Sequence, residues 1–444
     1  MAVTGMQIYK VLPKTNCKEC GVPTCMAFAM QVVSNQRTLT DCPHLSGTDN
    51  DELSSISAPP MRLVSIGNHN KPYEIGQETV MYRHEERFQR PSGIAIRLSS
   101  SLSVQEIKEK IKKIDAFTFE RIGKQLQVSF YAMEIDGCTN PAERAMIVAK
   151  ATEKPIILLG EIGERVRAAV EAIKEYKPLI YRANSMNINE YSEIASINNV
   201  PLAIGGESLQ ELADVVNTAQ EAGVKEIILS FNGNDVKTIF ESLTVTRRAA
   251  LTKKFNQFGY PSMVEIAAEN PDSETLLSSI FATKYSGIVL IDHFLEWELL
   301  PILTAIQDIY NDPQVPNKVE PKLYEVGKTT QESPVLFTTN FSLSYFSVVS
   351  EIERSKVPAF ICVVDTDGLG VLNAYAGDKI SVEKVLQTLK AQEVTSKVTH
   401  RKLIIPGLLP IFKAEIEENS EWKEVIIGPE NAREIPVFLN KVWS

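Results

Sequence analysis

The sequence predicts an α/β protein in three parts: a small cysteine-clustered N-terminal domain, a central TIM (β/α)8 barrel and a C-terminal Rossmann-like α/β domain. Three observations predict it. Four of the six cysteines fall between Cys17 and Cys42, eight short β-branched runs alternate with amphipathic stretches from Gly93 onward, and a proline-rich break precedes a last series of strands and helices. A chain of 444 residues accommodates several domains of about 150 residues each. Apolar residues make up 44% and charged residues 23% of it, the balance of a globular protein.

Cys17, Cys20, Cys25 and Cys42 are spaced C-x2-C-x4-C-x16-C. Three close sulfurs presented by one short loop, with a fourth on the returning chain, can wrap a 4Fe-4S cubane. Four-cysteine zinc is the competitor. Such sites usually pair two tight C-x2-C knuckles, however, and here the second half offers Cys42 alone. Disulfides rank third, because the outlying Cys138 and Cys362 do not extend a spread framework and read as free thiols. Cys25, Phe28, Ala29, Val32 and Val33 recur at helical spacing, with Pro23 near the start. Cys25 then lies at the positive end of a helix dipole, favourable for an anionic cluster. Pro43 follows Cys42, as a proline follows the last ligand in bacterial ferredoxin runs. His44 reads as a surface imidazole just past the site, with a ligand role as the alternative. So small a domain has little core of its own, and the metal is expected to help fold it.

Ser46 to Pro60 is rich in Ser, Asp and Pro without periodicity and reads as a linker, giving a cluster domain with linker over 1–58. Its mobility would let the cluster approach a distant partner site. A pair of strands around an Asn/Lys/Pro turn follows, and then eight strand–helix units that complete a barrel over 59–310. An open doubly wound sheet is the alternative. The active mouth of such a barrel would carry Glu134, Asp136, Asn184, Asn187, Glu207, Asn232, Glu265, Asp292 and His293. These side chains suit hydrogen bonding to a polar ligand, yet Asn and Asp at strand ends also cap the next helix. His293 has no partner at the spacing of a triad or metal site. No catalytic constellation is legible.

Pro313, Pro316, Pro321 and Pro334 mark a second boundary, read as a linker over 311–330 before a terminal α/β domain over 331–444. Open α/β sheets bind ligands outside the carboxyl ends of their strands. The loops there are "TTNF", "DTDGLGVLNAYAGD", "PGLLP" and "GPENARE". Gly368, Gly370, Ala374, Ala376 and Gly377 leave the second loop largely bare, so that something broad and flat can lie against the backbone. A nicotinamide dinucleotide is a poor match, since "GLGVLN" supplies only the first two glycines of G-x-G-x-x-G. Glycines serving only tight turns remain the plain alternative.

The formal charge of −10 disfavours nucleic acid and acidic membrane surfaces as partners. No run of eighteen apolar residues occurs, and "MAVTGMQIYK" lacks the apolar core of a signal peptide, so a cytoplasmic protein is expected.

Together these motifs resemble, over the whole chain, the large (gamma) subunit family of corrinoid iron-sulfur proteins of the reductive acetyl-CoA pathway. The cysteines fall where that family has its cluster ligands, and "TTNFSLSYFSVV", "VDTDGLGVLNAYAG", "LIIPGLLP" and "IIGPENAREIP" resemble its corrinoid-binding domain. The resemblance implies a methyl carrier: cobalt accepts a methyl group from methyltetrahydrofolate through a methyltransferase and passes it to acetyl-CoA synthase. It also implies that the 4Fe-4S cluster restores cobalt after one-electron oxidation. A smaller barrel subunit is the implied heterodimer partner, and the barrel of this chain is then a scaffold. None of His44, His69, His84, His293 and His400 lies in a D-x-H-x-x-G motif, in keeping with a family that holds its corrinoid base-off without an axial histidine. By position the resemblance assigns corrinoid contacts to Thr338, Thr339, Asn340, Tyr345 and Phe346, and to Thr366, Asp367, Gly368, Leu369, Gly370, Val371, Leu372, Asn373 and Ala374. Pro406, Gly407, Leu408, Gly428, Glu430, Ala432 and Arg433 would hold its edge and nucleotide tail. Two alternatives stand beside it: a barrel-catalysed pterin-dependent methyltransferase using Asn184, Asn187 and Asn232, and a ferredoxin-like electron carrier without corrinoid. An archaeal variant using tetrahydrosarcinapterin is not separable by sequence.

Overall fold

The computed structural model describes residues 5–33, 41–44, 60–233 and 235–443. Nearly all of the expected linker, the end of the expected cysteine helix beyond 33 and the Val33 side chain lie outside the described residues. The chain forms two compact units, Met1–Thr118 with Gln127–Tyr310, and Phe119–Leu126 with Asn311–Ser444.

In the first unit an antiparallel hairpin, β1 (Leu63–Ile66) and β2 (Tyr73–Gly76), precedes the barrel. β3 (Gly93–Leu98) opens the barrel, and a small hairpin of β4 (Phe119–Arg121) and β5 (Lys124–Leu126) interrupts its sequence before β6 (Phe130–Glu134). The remaining barrel strands are β7 (Ile156–Leu159), β8 (Leu179–Ala183), β9 (Leu202–Ile204), β10 (Ile227–Phe231), β11 (Ser262–Glu265) and β12 (Ser286–Ile291). All eight are parallel and close in the order β3-β6-β7-β8-β9-β10-β11-β12. The eight runs expected from the sequence are these eight strands.

Small and large inward residues alternate around the lumen: Ala95, Ala132 and Ala203 beside Phe130, Leu179 and Met263. Val64, Ile66 and Ile75 of the hairpin join this cluster. Gly67 N–H bonds to Lys177 O and Ser65 N–H to Glu226, both just before barrel strands, so the hairpin plugs the amino-terminal end of the lumen. Each such fully buried aliphatic side chain contributes about 1.5–3 kcal/mol. Helix starts follow local chemistry. Ser103 and Glu106 form a reciprocal capping box, and Asn140 and Asn270 cap helices whose first residues are Pro141 and Pro271.

The second unit is a five-stranded sheet of β13 (Leu323–Val326), β14 (Val335–Thr339), β15 (Ala359–Val364), β16 (Lys402–Ile405) and β17 (Glu424–Ile427), in the order β13-β15-β14-β16-β17. β13 is antiparallel and the rest are parallel. Valines and isoleucines bury both faces. Phe337, Cys362 and Leu403 pack on one side, and Leu336, Ile361 and Ile404 pack on the other.

Three expectations need correction. The stretch 311–330 is not all linker: it contains β13, which pairs with β15, and Val319 N–H bonds to Asn340 O. Edge pairing recruited a segment whose prolines suggested a break. The loop 365–378 is not wholly bare, because Val371–Ala376 winds into a short helix that buries Ala374. The β4–β5 hairpin, although inside the barrel sequence, belongs to the second unit. There Gly123, at φ +67°, lies so close to Phe346 that a Cβ would fall 2.7 Å from the ring.

Candidate functional site

Two short helices, Gly5–Val11 and Cys25–Val33, build the first site. Ile8, Leu12, Val22, Phe28, Ala29 and Val32 form its core together with Cys25 and Cys42. Lys14, Asn16, Lys18 and Gly21 all adopt positive φ, which coils the intervening chain tightly around Cys17 and Cys20. Asn16 Oδ1 accepts the Cys25 N–H at 2.8 Å, fastening this loop to the first turn of the cysteine helix. Thr24 caps the same turn by accepting the Ala27 N–H at 3.1 Å. Cys17, Cys20, Cys25 and Cys42 all line one cavity of about 10 Å3, walled by Leu12, Val22 and Phe28. None of the six thiols is in a disulfide. Four thiols around one apolar-walled point, one of them at a helix N-terminus, are a donor set that fits an iron-sulfur cluster. His44 does lie near the site. Its Nε2 pairs with Glu19 Oε2 at 2.9 Å, and the Cys17 sulfur is within 4.8 Å of these groups.

The second site lies where β14 leads to β15 on one side and β16 adjoins it on the other, the point of an open sheet at which ligands bind. A crevice of about 250 Å3 opens there. Of the expected contacts, Thr338, Val371, Pro406, Leu408, Gly428, Glu430 and Ala432 line it. Leu343, Ser344, Ser347 and Val348 on the helix Ser342–Ser355 also line it, and sequence reasoning missed them. Their signal was available: Leu343, Ser344 and Ser347 sit at helical spacing just after the expected "TTNF" loop. Exposed Leu343, Leu372, Tyr375 and Ile411 surround this end of the unit.

Other expected contacts act differently. Thr339, Thr366 and Ala374 have no exposed surface, and Asn340 has 1%. As placed they can shape the site only through their neighbours. Gly407 is bare for packing reasons, since a Cβ would fall 2.4 Å from Gly428 O. Gly368 is required by its turn at φ +79°. Gly370 is different. At φ −68° a Cβ there would meet nothing nearer than Phe341 Cδ1 at 3.5 Å, so the chain itself does not demand glycine. An open, apolar crevice beside a backbone bare for no internal reason fits a flat macrocycle lying against it. Tyr345 is buried, with its ring tilted against Tyr324 and edge-on to Phe346, while Asp367, Leu372, Asn373 and Arg433 are exposed and Leu369 is half-buried.

The barrel mouth forms a larger cavity, about 580 Å3, that includes Glu134, Asp136, Asn184, Asn187, Asn232 and Glu265. Several of its charges pair with one another. Arg97, an inward arginine in an otherwise apolar strand, donates to Glu134 at 3.2 Å, to Asp292 at 2.6 Å and to Glu265. Burial would lower the pKa of Arg97, but Asp292 and Glu265 hold it above its ordinary value. Glu134 is held below the usual carboxylate range. Burial opposes this, and the Ser100 N–H and Arg97 outweigh it. Asn184 N–H bonds to Asn187 Oδ1 at 2.8 Å, and Asn184 Oδ1 accepts from Met186 N–H at 2.9 Å, the bland local role. Asp136 accepts the Glu161 N–H, whereas Glu207 and Asn232 stay exposed. His293 Nδ1 pairs with buried Glu274 at 2.8 Å. Arg97 thus ties β3 to β6, β11 and the end of β12 through ion pairs.

No helix among the described residues is long and apolar enough to cross a membrane. Cys362 is fully buried in β15, and burial pushes its thiol up to about 12, the behaviour of an inert core cysteine.

Residues 63–439 match the family model described as CO dehydrogenase/acetyl-CoA synthase delta subunit, and residues 12–44 match one described as Fe-S cluster. The chain is 38% identical over 440 residues to the corrinoid/iron-sulfur protein large subunit of Moorella thermoacetica, covering 99% of this chain and 98% of that protein. It is 30% identical over 460 residues to the acetyl-CoA decarbonylase/synthase complex subunit gamma of Methanothermobacter thermautotrophicus, covering 100% of both. Subunit gamma 2 of Methanosarcina mazei is 33% identical over 463 residues, covering 99% of this chain and 98% of that protein.

Proposed function

Because the chain belongs to the family of corrinoid/iron-sulfur protein large subunits and acetyl-CoA decarbonylase/synthase gamma subunits, we propose that it is a methyl carrier with an iron-sulfur cluster and a corrinoid. The observation that carries this is the presence in one chain of a four-thiol cavity within the Fe-S segment and an apolar crevice at the sheet's switch point, beside the unforced Gly370. Cys17, Cys20, Cys25 and Cys42 would hold a 4Fe-4S cluster, and the crevice residues from Thr338 to Ala432 would hold the corrinoid. When bound, the corrinoid supplies a cobalt nucleophile for the methyl group, and the cluster supplies the electron that restores it after oxidation.

The chain's own residues have simpler tasks. Leu336, Leu343, Val348, Ile404 and Ile435 exclude water from the crevice, and Glu430, Ser344 and Ser347 offer polar contacts at its wall. The histidine nearest in sequence, His400, bonds to Ser333 O at 2.9 Å, which agrees with a corrinoid held without a protein imidazole. Finer features follow the same reading: a base-off corrinoid, a smaller barrel subunit as heterodimer partner, a methyltetrahydrofolate methyltransferase as donor and acetyl-CoA synthase as acceptor. The ion pairs of Arg97 with three carboxylates at the barrel mouth support a scaffold role for the barrel. The test is an iron, cobalt and zinc count, with an absorption spectrum, on protein isolated without oxygen. Expected are about four irons and one cobalt per chain, with iron lost on substituting Cys25→Ser. Zinc in place of iron, or no corrinoid band, overturns the reading.

A further inference from the structure

Two loops meet beside the crevice, and one buried side chain joins them. Asn340, 1% exposed, follows β14, and the turn from Asp365 to Gly368 follows β15. Asn340 Oδ1 accepts the N–H of Thr366 at 3.0 Å and the N–H of Gly368 at 2.9 Å. Its Nδ2 donates to Asp365 Oδ1 at 2.8 Å, which also accepts the Asp367 N–H at 3.1 Å. The Thr366 hydroxyl has Asn340 Oδ1 at 3.1 Å and Leu369 O at 2.8 Å as acceptors for its one proton. Asp367 and Gly368 are consecutive left-handed residues, at φ +57° and +79°. Such a turn leaves inward N–H groups that need an acceptor. The carboxamide is that acceptor and a donor at once, a combination that neither Asp nor a hydrophobic residue supplies.

We propose that Asn340 is the positioning residue of the corrinoid crevice: it does not touch the cofactor but fixes the Thr366–Gly370 backbone against which the macrocycle rests. The inference rests on the corrinoid reading above. Its path is short. Leu369 N–H bonds to Thr366 O at 3.1 Å, Gly370 begins the helix Val371–Ala376, and Val371 lines the crevice. On the other side Asn340 adjoins Thr339 and Thr338, the latter also in the crevice wall. Asn340 N–H bonds to Val364 O at 2.9 Å and its carbonyl accepts from Val319 N–H at 2.9 Å, so the carboxamide is mounted on a backbone fixed in the sheet.

The test compares the wild-type chain with Asn340→Ala, Asn340→Asp and Thr366→Val. Three quantities are read: amide exchange at Thr366 and Gly368 in the corrinoid-free chain, the rate of corrinoid release, and the Co(II) EPR signature. Asn340→Ala should speed exchange at both amides, speed release by roughly tenfold and change the Co(II) EPR signature, with the iron content unchanged. Asn340→Asp keeps the acceptor but sets a carboxylate against Asp365, and should fall between wild type and alanine. Thr366→Val keeps both backbone bonds and should release less than Asn340→Ala. It, together with the aspartate variant, carries the test if alanine does not fold. Faster exchange with unchanged release and an unchanged signature overturns the inference alone. A wild-type chain that holds no corrinoid overturns the functional reading itself.

Discussion

Substituting Glu298→Gln should stabilise the barrel unit, and increasingly so as pH rises. Glu298 is 0% exposed, and neither of its oxygens has a donor. Its neighbour Glu274, 1% exposed, has both oxygens engaged by Asp292 N–H at 2.7 Å, His293 N–H at 3.1 Å and His293 Nδ1 at 2.8 Å. Two carboxylates cannot both ionise in such a place, so Glu298 keeps its proton and shares it with Glu274. Burial first, and then the contact with Glu274, push the Glu298 pKa up to about 8 from an ordinary 4.5. The sign follows from linkage. Between these values the unfolded chain has released the proton while the folded chain retains it, so this contribution is present below about pH 4.5 and is lost as pH climbs toward about 8. Each pH unit costs about 1.4 kcal/mol, hence about 3 kcal/mol between pH 5 and pH 7. The substituted glutamine has no proton to lose, and its amide can donate to Glu274. Urea unfolding of the two chains across pH 5 to 7, followed by a signal from the barrel, should show the gap widening by that amount. A gap that stays constant with pH would refute the protonated pair.

Two further outcomes are expected. Gly370→Ala should fold normally, with stability within about 0.5 kcal/mol of wild type, because its Cβ has room, yet release corrinoid faster in a gel-filtration retention assay. Equal retention would return Gly370 to the role of a plain turn glycine. Arg97→Met strands Glu134, Glu265 and Asp292 in one mouth and should cost about 3 kcal/mol or more of barrel stability, measured by denaturant unfolding at neutral pH. Recovery at acid pH, where those carboxylates protonate, is the accompanying sign.

The cysteine site was legible because its information is local. Cys17, Cys20 and Cys25 lie on one loop and its helix, and the spacing constrains the sulfurs before any tertiary contact forms. The barrel was legible for a similar reason, since a repeat of buried β-branched runs and amphipathic helices has few closed packings. The crevice was legible only by position. Seven expected contacts do line it, but Thr366 and Asn340 proved to be bound to each other, because a hydrogen bond between residues 26 apart leaves no mark in a linear pattern. The proline-rich stretch became an edge strand and the β4–β5 hairpin joined the terminal unit.

The sequence alone determined which chemistry the chain can hold: four thiols at the spacing of a metal site, strands buried on both faces, and glycine-rich turns at their carboxyl ends. Tertiary structure decided which polar groups remain available. Arg97 pairs with three mouth carboxylates contributed by β6, β11 and the end of β12, and Asn340 fills the turn after β15. Such pairings depend on which strands the fold makes neighbours, and packing settles that across the whole domain.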